Sequence, residues 1–298
     1  MTTSNIYKDY FHDMKILVPT DFSKNAQKGI EFATHLAKKI AGSEIILLHA
    51  HEVIKSDSAR SLLLFEEYNL SVAKKLRDEL NIQRRKISSR NPDVKVSAEF
   101  YSREVRNSII EASETLGVDL VVMGTQGASG LKNFFMGSVT TKVIAKATIP
   151  VLAIPRLYTF KEPKKILLAT NNFETHPAVL DPIWKSVDLF NAQLHVIVFT
   201  DKDSLVQKQY NARGLEEYTQ FLQRINRDAS ITAEHLEGDE FENTVQQYID
   251  RHEIDMLTMI TYKRNFLQNM FHRSATKSMA YRTRIPLLAI PALNEQEE

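Results

Sequence analysis

The sequence predicts an α/β protein made of two tandem domains, each with a doubly wound parallel sheet. Short apolar runs alternate with longer periodic segments along the chain, and such alternation is typical of parallel strands joined by right-handed helical crossovers. The stretch 119–155 recurs without a gap at 255–291. The length of 298 residues also fits about two domains.

The first half predicts the order β-α-β-α-β-α-β-α-β. Continuous apolar runs indicate strands that are covered on both faces, and charged periodic runs indicate helices. Ser23 is a natural N-cap for the first helix, and Gly42 and Gly117 end the first and third helices. The predicted strands are 15–19, 44–50, 94–100, 119–123 and 151–154, and the predicted helices are 24–41, 60–89, 104–116 and 138–146.

After a short linker, 156–164, the pattern starts again. We predict strands at 165–170, 193–199, 230–236 and 287–290, and helices at 203–228 and 240–252. The closing stretches share one offset, since 255 − 119 = 136 and 285 − 149 = 136. Such a match indicates a duplicated domain. We therefore divide the chain into domains 1–157 and 158–298, and expect their apolar terminal strands to pair across a pseudo-two-fold axis rather than stay exposed.

Bulk composition limits the possible functions. Apolar residues make up 43%, charged residues 25%, and the net charge is +1, so no global field favours nucleic acid or an anionic membrane. The absence of cysteine excludes disulfides, thiolate metal sites and cysteine nucleophiles. No apolar run has the length of a signal-peptide core or membrane helix, so we expect a cytoplasmic protein.

Glycines concentrate after the fourth predicted strand. Gly124, Gly127, Gly137 and Ser138 follow the spacing G-x2-G-x9-G-S. Glycine permits close backbone approach, and a helix N-terminus attracts anions. The carboxyl ends of the first and fourth strands would face one crevice. The stretch therefore predicts a phosphate-binding loop, to which the Ser138 and Thr140 hydroxyls add donors; the alternative is a turn that only joins strand to helix.

With Pro19, Thr20 and Asp21 at the end of the first strand, these residues resemble the signature of the universal stress proteins, here as two UspA-type domains in tandem. The resemblance covers about 15–155 and, more weakly, 165–291. It implies a Rossmann-like, adenine nucleotide alpha hydrolase-like fold that binds ATP, with Mg²⁺ brought by the nucleotide. The implied binding residues are Pro19, Thr20, Asp21, Ala50, Met123, Gly124, Gly127, Gly137, Ser138, Val139 and Thr140.

Asp21, His49 and His51 near this crevice each have a second interpretation. Asp21 would contact the ribose or adenosine, or would only cap the following helix. The resemblance further implies that Ala50 presents its backbone to the adenine edge and that Met123 lines the pocket. His49 and His51 flank Ala50, and a histidine there is more often a packing residue than a metal ligand or an acid or base.

The second copy departs from the signature at its key positions. Ile260, Lys263 and Arg273 replace the three glycines, 169–171 reads Ala-Thr-Asn, and Ser274 is retained. Side chains at these positions would occupy the space of a phosphate, so we predict no ATP binding there. Lys263, Arg264 and Arg273 would either attract another anion or form a solvated basic loop.

The leading functional hypothesis is a nucleotide-responsive stress regulator that hydrolyses ATP slowly or not at all. The histidines of the second copy show no H-x-H or H-x-x-x-H metal spacing, and no Ser-His-Asp order, paired-carboxylate site or Walker-type motif is recognisable in the sequence. The alternatives are an ATP-hydrolysing or adenylating enzyme that uses the same crevice, and a scaffold that has lost nucleotide binding. We also expect a homodimer and a protein partner that the sequence does not name.

Overall fold

The computed structural model describes residues 13–53, 59–125, 137–170, 172–201, 205–262 and 284–293. Within these residues, ten strands form one sheet. The strands are β1 Lys15–Pro19, β2 Glu44–Ala50, β3 Lys95–Tyr101, β4 Leu120–Gly124, β5 Val151–Ile154, β6 Lys165–Ala169, β7 Gln193–Asp201, β8 Ile231–Gly238, β9 Met256–Thr261 and β10 Leu287–Pro291. The helices are α1 Lys24–Lys39, α2 Ala59–Arg90, α3 Val105–Thr115, α4 Ser138–Lys146, α5 Pro177–Phe190, α6 Leu205–Ile225 and α7 Phe241–His252.

The sheet runs in the order β3-β2-β1-β4-β5-β10-β9-β6-β7-β8. Neighbours within each half are parallel, whereas β5 and β10 pair antiparallel, with Ala153 opposite Leu287 and Val151 opposite Ala289. The predicted α/β fold and the pairing of the terminal strands are therefore confirmed. The two halves form one continuous sheet with a local pseudo-two-fold axis at its centre.

The register of the strands repeats between the halves. Gly124 lies opposite Ile154 on β5, and Ile260 lies opposite Ile290 on β10. Asp119 Oδ2 accepts the Lys15 N–H at 2.8 Å, and in the second half Asp255 Oδ2 accepts the Lys165 N–H at 3.0 Å. The 136-residue sequence offset thus corresponds to equivalent positions in space (260 − 124 = 136 and 290 − 154 = 136). The division at 157/158 stays a prediction.

Helices cover both faces of the sheet, which explains why the strands are apolar throughout rather than alternating. In β1, Ile16 and Val18 pack in the cluster that contains side chains of α1 and α2, and Leu17 packs in the opposite cluster with side chains of α3 and α4. This alternation follows from the two-residue period of a strand. None of the described helices is long and apolar enough to cross a membrane.

The helix ends follow local signals closely. The Ser23 hydroxyl accepts the Ala26 N–H at 3.1 Å and caps α1, as predicted. Gly42 and Gly117 have φ of +75° and +60°, a left-handed conformation that glycine adopts without steric cost. The predicted boundaries differ from the observed ones by a few residues at most, as with α6, because helix ends are set by single hydrogen bonds that sequence periodicity does not resolve.

Candidate functional site

The candidate site lies where the strand order reverses. β1 and β4 are neighbours, with Ile16 opposite Leu120 and Leu17 opposite Val121. The strand that follows β1 in the chain, β2, lies on one side of this pair, and the strand that follows β4, β5, lies on the other side. Because the two strands are parallel, their carboxyl ends meet at the same edge of the sheet. Ligands of open α/β sheets bind in the crevice at such a switch point.

The N-terminus of α4 is attached to the end of β4. The Gly137 N–H donates to the Thr125 carbonyl, and the Thr140 hydroxyl donates to the Gly124 carbonyl at 2.9 Å. The Thr141 N–H donates to the Gly137 carbonyl at 3.0 Å, which is the first intrahelical bond of α4. The preceding N–H groups, at 138–140, therefore form the positive end of the helix beside the crevice.

Ser138 and Thr140 differ in what their hydroxyls do. Ser138 is exposed at the first position of α4. Thr140 is 2% exposed, and its hydroxyl proton is committed to the Gly124 carbonyl. The sequence interpretation used both hydroxyls as phosphate donors, and this is wrong for Thr140. Its hydroxyl attaches α4 to β4. The backbone N–H of Thr140 is therefore the group that remains able to donate a hydrogen bond from the first turn of α4.

Gly124 has a structural reason to be glycine. A Cβ built on it would lie 2.5 Å from Asn25 Nδ2 and 2.6 Å from the Asn25 carbonyl oxygen. On the helix side, a Cβ on Gly29 would lie 3.3 Å from Met123 Cα. These two glycines let α1 pack closely over the end of β4. The expected role of Gly124 in phosphate approach therefore has a competing explanation, which local sequence did not reveal.

Thr20 ties the end of β1 to its neighbours. Its N–H donates to the Leu48 carbonyl at 2.8 Å. Its hydroxyl donates to Gln83 Oε1 at 3.3 Å and accepts the Phe22 N–H at 3.1 Å. Thr20 is 5% exposed, so it shapes the wall of the crevice, and Pro19 is the last residue of β1 before it.

Asp21 lies exposed at the rim of the crevice. Its Oδ1 accepts the Ser23 N–H at 3.1 Å, whereas the N-cap of α1 is Ser23 itself. The assignment of Asp21 to the ribose or to the start of the helix stays a prediction. Asp21 shapes the turn before the cap. Phe22 in this turn has φ of 62°, and Phe173 in the second half has φ of 48°, so the strained turn belongs to the fold of both halves.

A row of rings lines the ends of β1, β2 and β3. His49 stacks on Phe22 with ring centroids 4.6 Å apart and lies 5.8 Å from the Phe100 ring. Its Nδ1 is 2.8 Å from the Thr20 carbonyl oxygen. Burial lowers the pKa of His49, so the neutral imidazole donates from Nδ1 to that carbonyl. This arrangement agrees with the packing role that the sequence favoured.

Ala50 and Met123 occupy different surroundings. Ala50 is the half-buried last residue of β2, opposite Tyr101 on β3. Met123 is 5% exposed and packs in the cluster on the face covered by α3 and α4, so little of its side chain can reach a ligand. Val139 is half-buried against the same cluster, and its backbone N–H is its group in the first turn of α4.

Several predicted residues lie outside the described part of the chain. These are Gly127 in the first half and, in the second half, Asn171, Lys263, Arg264, Arg273 and Ser274. The residues that the sequence did not single out are Asn25, Gly29, Gln83 and Thr125. Within the described ranges, no group of three or more histidine or carboxylate side chains could hold a metal ion.

The fold defines the class of α/β proteins with a mostly parallel, doubly wound sheet, and comparisons with known proteins identify the family within that class. The model of the universal stress protein family matches residues 14–155. Universal stress protein MJ0577 of Methanocaldococcus jannaschii is 34% identical over 154 residues, 48% of this chain and 94% of that protein. Universal stress protein YxiE of Bacillus subtilis is 28% identical over 148 residues, 47% of this chain and 97% of that protein.

A solved structure matches almost the whole chain. The crystal structure of a universal stress protein from Archaeoglobus fulgidus has a TM-score of 0.69 at 20% identity, and the match covers 93% of this chain and 98% of that chain. At this identity the likeness shows the fold, including both halves. The chain belongs to the universal stress protein family, and it has about twice the length of the single-domain relatives.

Proposed function

We propose that the first half binds ATP in the crevice between the carboxyl ends of β1 and β4, and that the protein is a nucleotide-responsive stress regulator with little or slow hydrolysis. One observation carries the proposal. The N-terminus of α4 is attached to the last residues of β4 by the hydrogen bonds from Gly137 and Thr140. This holds three helix N–H groups at the switch point of the sheet, which suits a phosphate chain.

The residues around the crevice divide naturally among the parts of ATP. The N–H groups of 138–140, with the exposed Ser138 hydroxyl, suit the phosphates. Asp21, exposed at the rim, suits a ribose hydroxyl because a carboxylate accepts two hydrogen bonds. The backbone at Ala50 suits the adenine edge. Mg²⁺ would be held mainly through phosphate oxygens, which are its preferred partners.

The second half supports a single nucleotide site per chain. Ile260 occupies the position of Gly124 and is 8% exposed. Its side chain packs in the apolar cluster on the α5 and α6 face. The backbone at this strand end is therefore covered by a side chain. We propose that the second half is the structural mate of the first, and that its β10 covers the edge that β5 would otherwise expose.

Nucleotide binding would act on the segment 126–136. The segment begins after Thr125 and ends before Gly137, and these two residues are hydrogen-bonded to each other. A phosphate chain at the start of α4 would lie beside these two anchors. The bound nucleotide would thereby set the surface that this segment offers to a protein partner.

Isothermal titration calorimetry with ATP tests the proposal. We expect binding to the wild-type chain and its loss in Gly127→Lys, which copies the residue at 263. The matched control is Lys263→Gly, which should leave the affinity unchanged. ATP bound equally well by Gly127→Lys would show that the site is wrong. Phosphate release far above background would favour an enzyme, and no binding by any variant would favour a scaffold.

A further inference from the structure

Helix α2 extends well past the sheet. Its 32 residues span about 48 Å, whereas the seven residues of β2 span about 23 Å. Gln83 already contacts Thr20 at the carboxyl end of β1. Between 65 and 90 the buried residues of α2 are Leu80 and Ile87. The part of α2 before Leu80 therefore protrudes from the edge that carries the crevice.

Four residues form a ridge on the outer face of this helix. Leu70, Lys74, Asp78 and Ile82 are spaced by four, so they lie along one slanted row, which we call the α2 ridge. Leu70 is 72% exposed and Ile82 is 63% exposed. Within the described part of the chain, neither Lys74 nor Asp78 makes an ion pair. The ridge thus offers two apolar ends and two unpaired charges to solvent.

The α2 ridge is complementary to itself. A two-fold axis midway along it places Leu70 against Ile82 of a second copy and Lys74 against Asp78 of that copy, because 70 + 82 and 74 + 78 are both 152. The adjacent row, Ser71-Lys75-Glu79, also has its cation before its anion. Antiparallel pairing therefore joins unlike charges in both rows, whereas parallel pairing would join like charges.

We infer that two copies of the chain pair through the α2 ridge. The α2 ridge and the adjacent row together carry two lysines, one aspartate and one glutamate. Their net charge is zero, so this surface favours neither nucleic acid nor an anionic membrane. Isologous two-fold contacts are the commonest way in which soluble proteins dimerise, and ridges spaced by four interlock in the commonest helix packing. The inference goes beyond ATP binding and does not depend on it.

The dimer is weak and sensitive to salt. One crossing pair of helices buries less than the roughly 1,000 Å² that stable interfaces need, so we expect a dissociation constant in the micromolar range, about 10–100 µM. The two symmetric pairs of Lys74 and Asp78 lie at an exposed edge, and raising the salt concentration screens them. The dimer also lies beside the crevice edge, because α2 leaves the sheet there.

Sedimentation velocity across a concentration series tests the pairing. Lys74→Asp should weaken the wild-type dimer at least about tenfold, and Asp78→Lys should do the same, because each creates like-charge contacts across the axis. Mixing the two variants should restore the dimer, since the doubly acidic ridge of one faces the doubly basic ridge of the other. Effects confined to a single helix cannot be rescued by mixing.

The control is Val206→Asp on α6, where Val206 is 85% exposed. Its dimer should match that of the wild type. Thermal unfolding of each variant shows whether the fold is retained. A wild-type chain that stays monomeric up to about 1 mM overturns the inference, as does a dimer unaffected by either charge reversal or a mixture that does not associate.

Discussion

The close contact between α1 and β4 predicts that Gly124 tolerates no side chain. In Gly124→Ala the new Cβ would meet Asn25 Nδ2 at 2.5 Å, the Asn25 carbonyl oxygen at 2.6 Å and its carbon at 2.9 Å. Two of these atoms are backbone, so relief requires α1 to move. Overpacking of this kind costs about 1–3 kcal/mol.

This cost converts into a shift that calorimetry can measure. At about 2–4 °C for each kcal/mol in a domain of this size, Gly124→Ala should melt roughly 2–12 °C below the wild type. The control is Gly29→Ala, whose Cβ would lie 3.3 Å from Met123 Cα. In that variant a helix-propensity gain of about 1 kcal/mol offsets the tight contact. A melting temperature for Gly124→Ala equal to that of the wild type would refute the close packing.

Three further predictions follow from single hydrogen bonds and one buried ring. Thr140→Val should cost about 1–3 kcal/mol in urea unfolding and weaken ATP binding without abolishing it, because it removes the bond that attaches α4 to β4; unchanged affinity would show that the site does not depend on this attachment. Asp255→Ala should cost about 2–3 kcal/mol, because its carboxylate accepts from Lys161, Lys164 and Lys165, against about 1 kcal/mol for Asp119→Ala, whose carboxylate accepts from Lys15. Equal losses would contradict the difference in contacts. Burial, followed by His252 and Lys165, lowers the pKa of His195 from 6.5 to about 4; the unfolded chain therefore binds the proton first, and stability should fall from pH 6.5 towards 4. Urea unfolding at several pH values, followed by the fluorescence of Trp184, measures this loss of stability. The loss between pH 6.5 and 4 should be smaller for His195→Gln than for the wild type, and an identical loss would reject the assignment to His195.

The fold was predictable because it depends on signals that repeat. Continuous apolar strands such as 44–50 and capped helices such as the one that begins after Ser23 are visible locally. The duplication supplied the rest, since the two terminal strands could be matched residue by residue. Their antiparallel pairing followed from the need to cover an apolar edge, and the structure confirms it.

The site was less predictable because its roles depend on contacts between distant residues. Gly124 and Asn25 are far apart in sequence, so the helix packing that explains the glycine has no local sign except Gly29 in α1. The Thr140 hydroxyl was expected to face a ligand, and its bond to the Gly124 carbonyl depends on how α4 lies against β4. The cap of α1 by Ser23 was visible locally, and the structure confirms it.

Native mass spectrometry of the purified chain with saturating ATP and Mg²⁺ tests the central claim most directly, because it counts nucleotides bound to each polypeptide. The account predicts one ATP per chain for the wild type and for Lys263→Gly, and none for Gly127→Lys. Two nucleotides per wild-type chain would contradict the assignment of binding to the first half alone. A wild-type chain that binds no nucleotide would contradict the site itself.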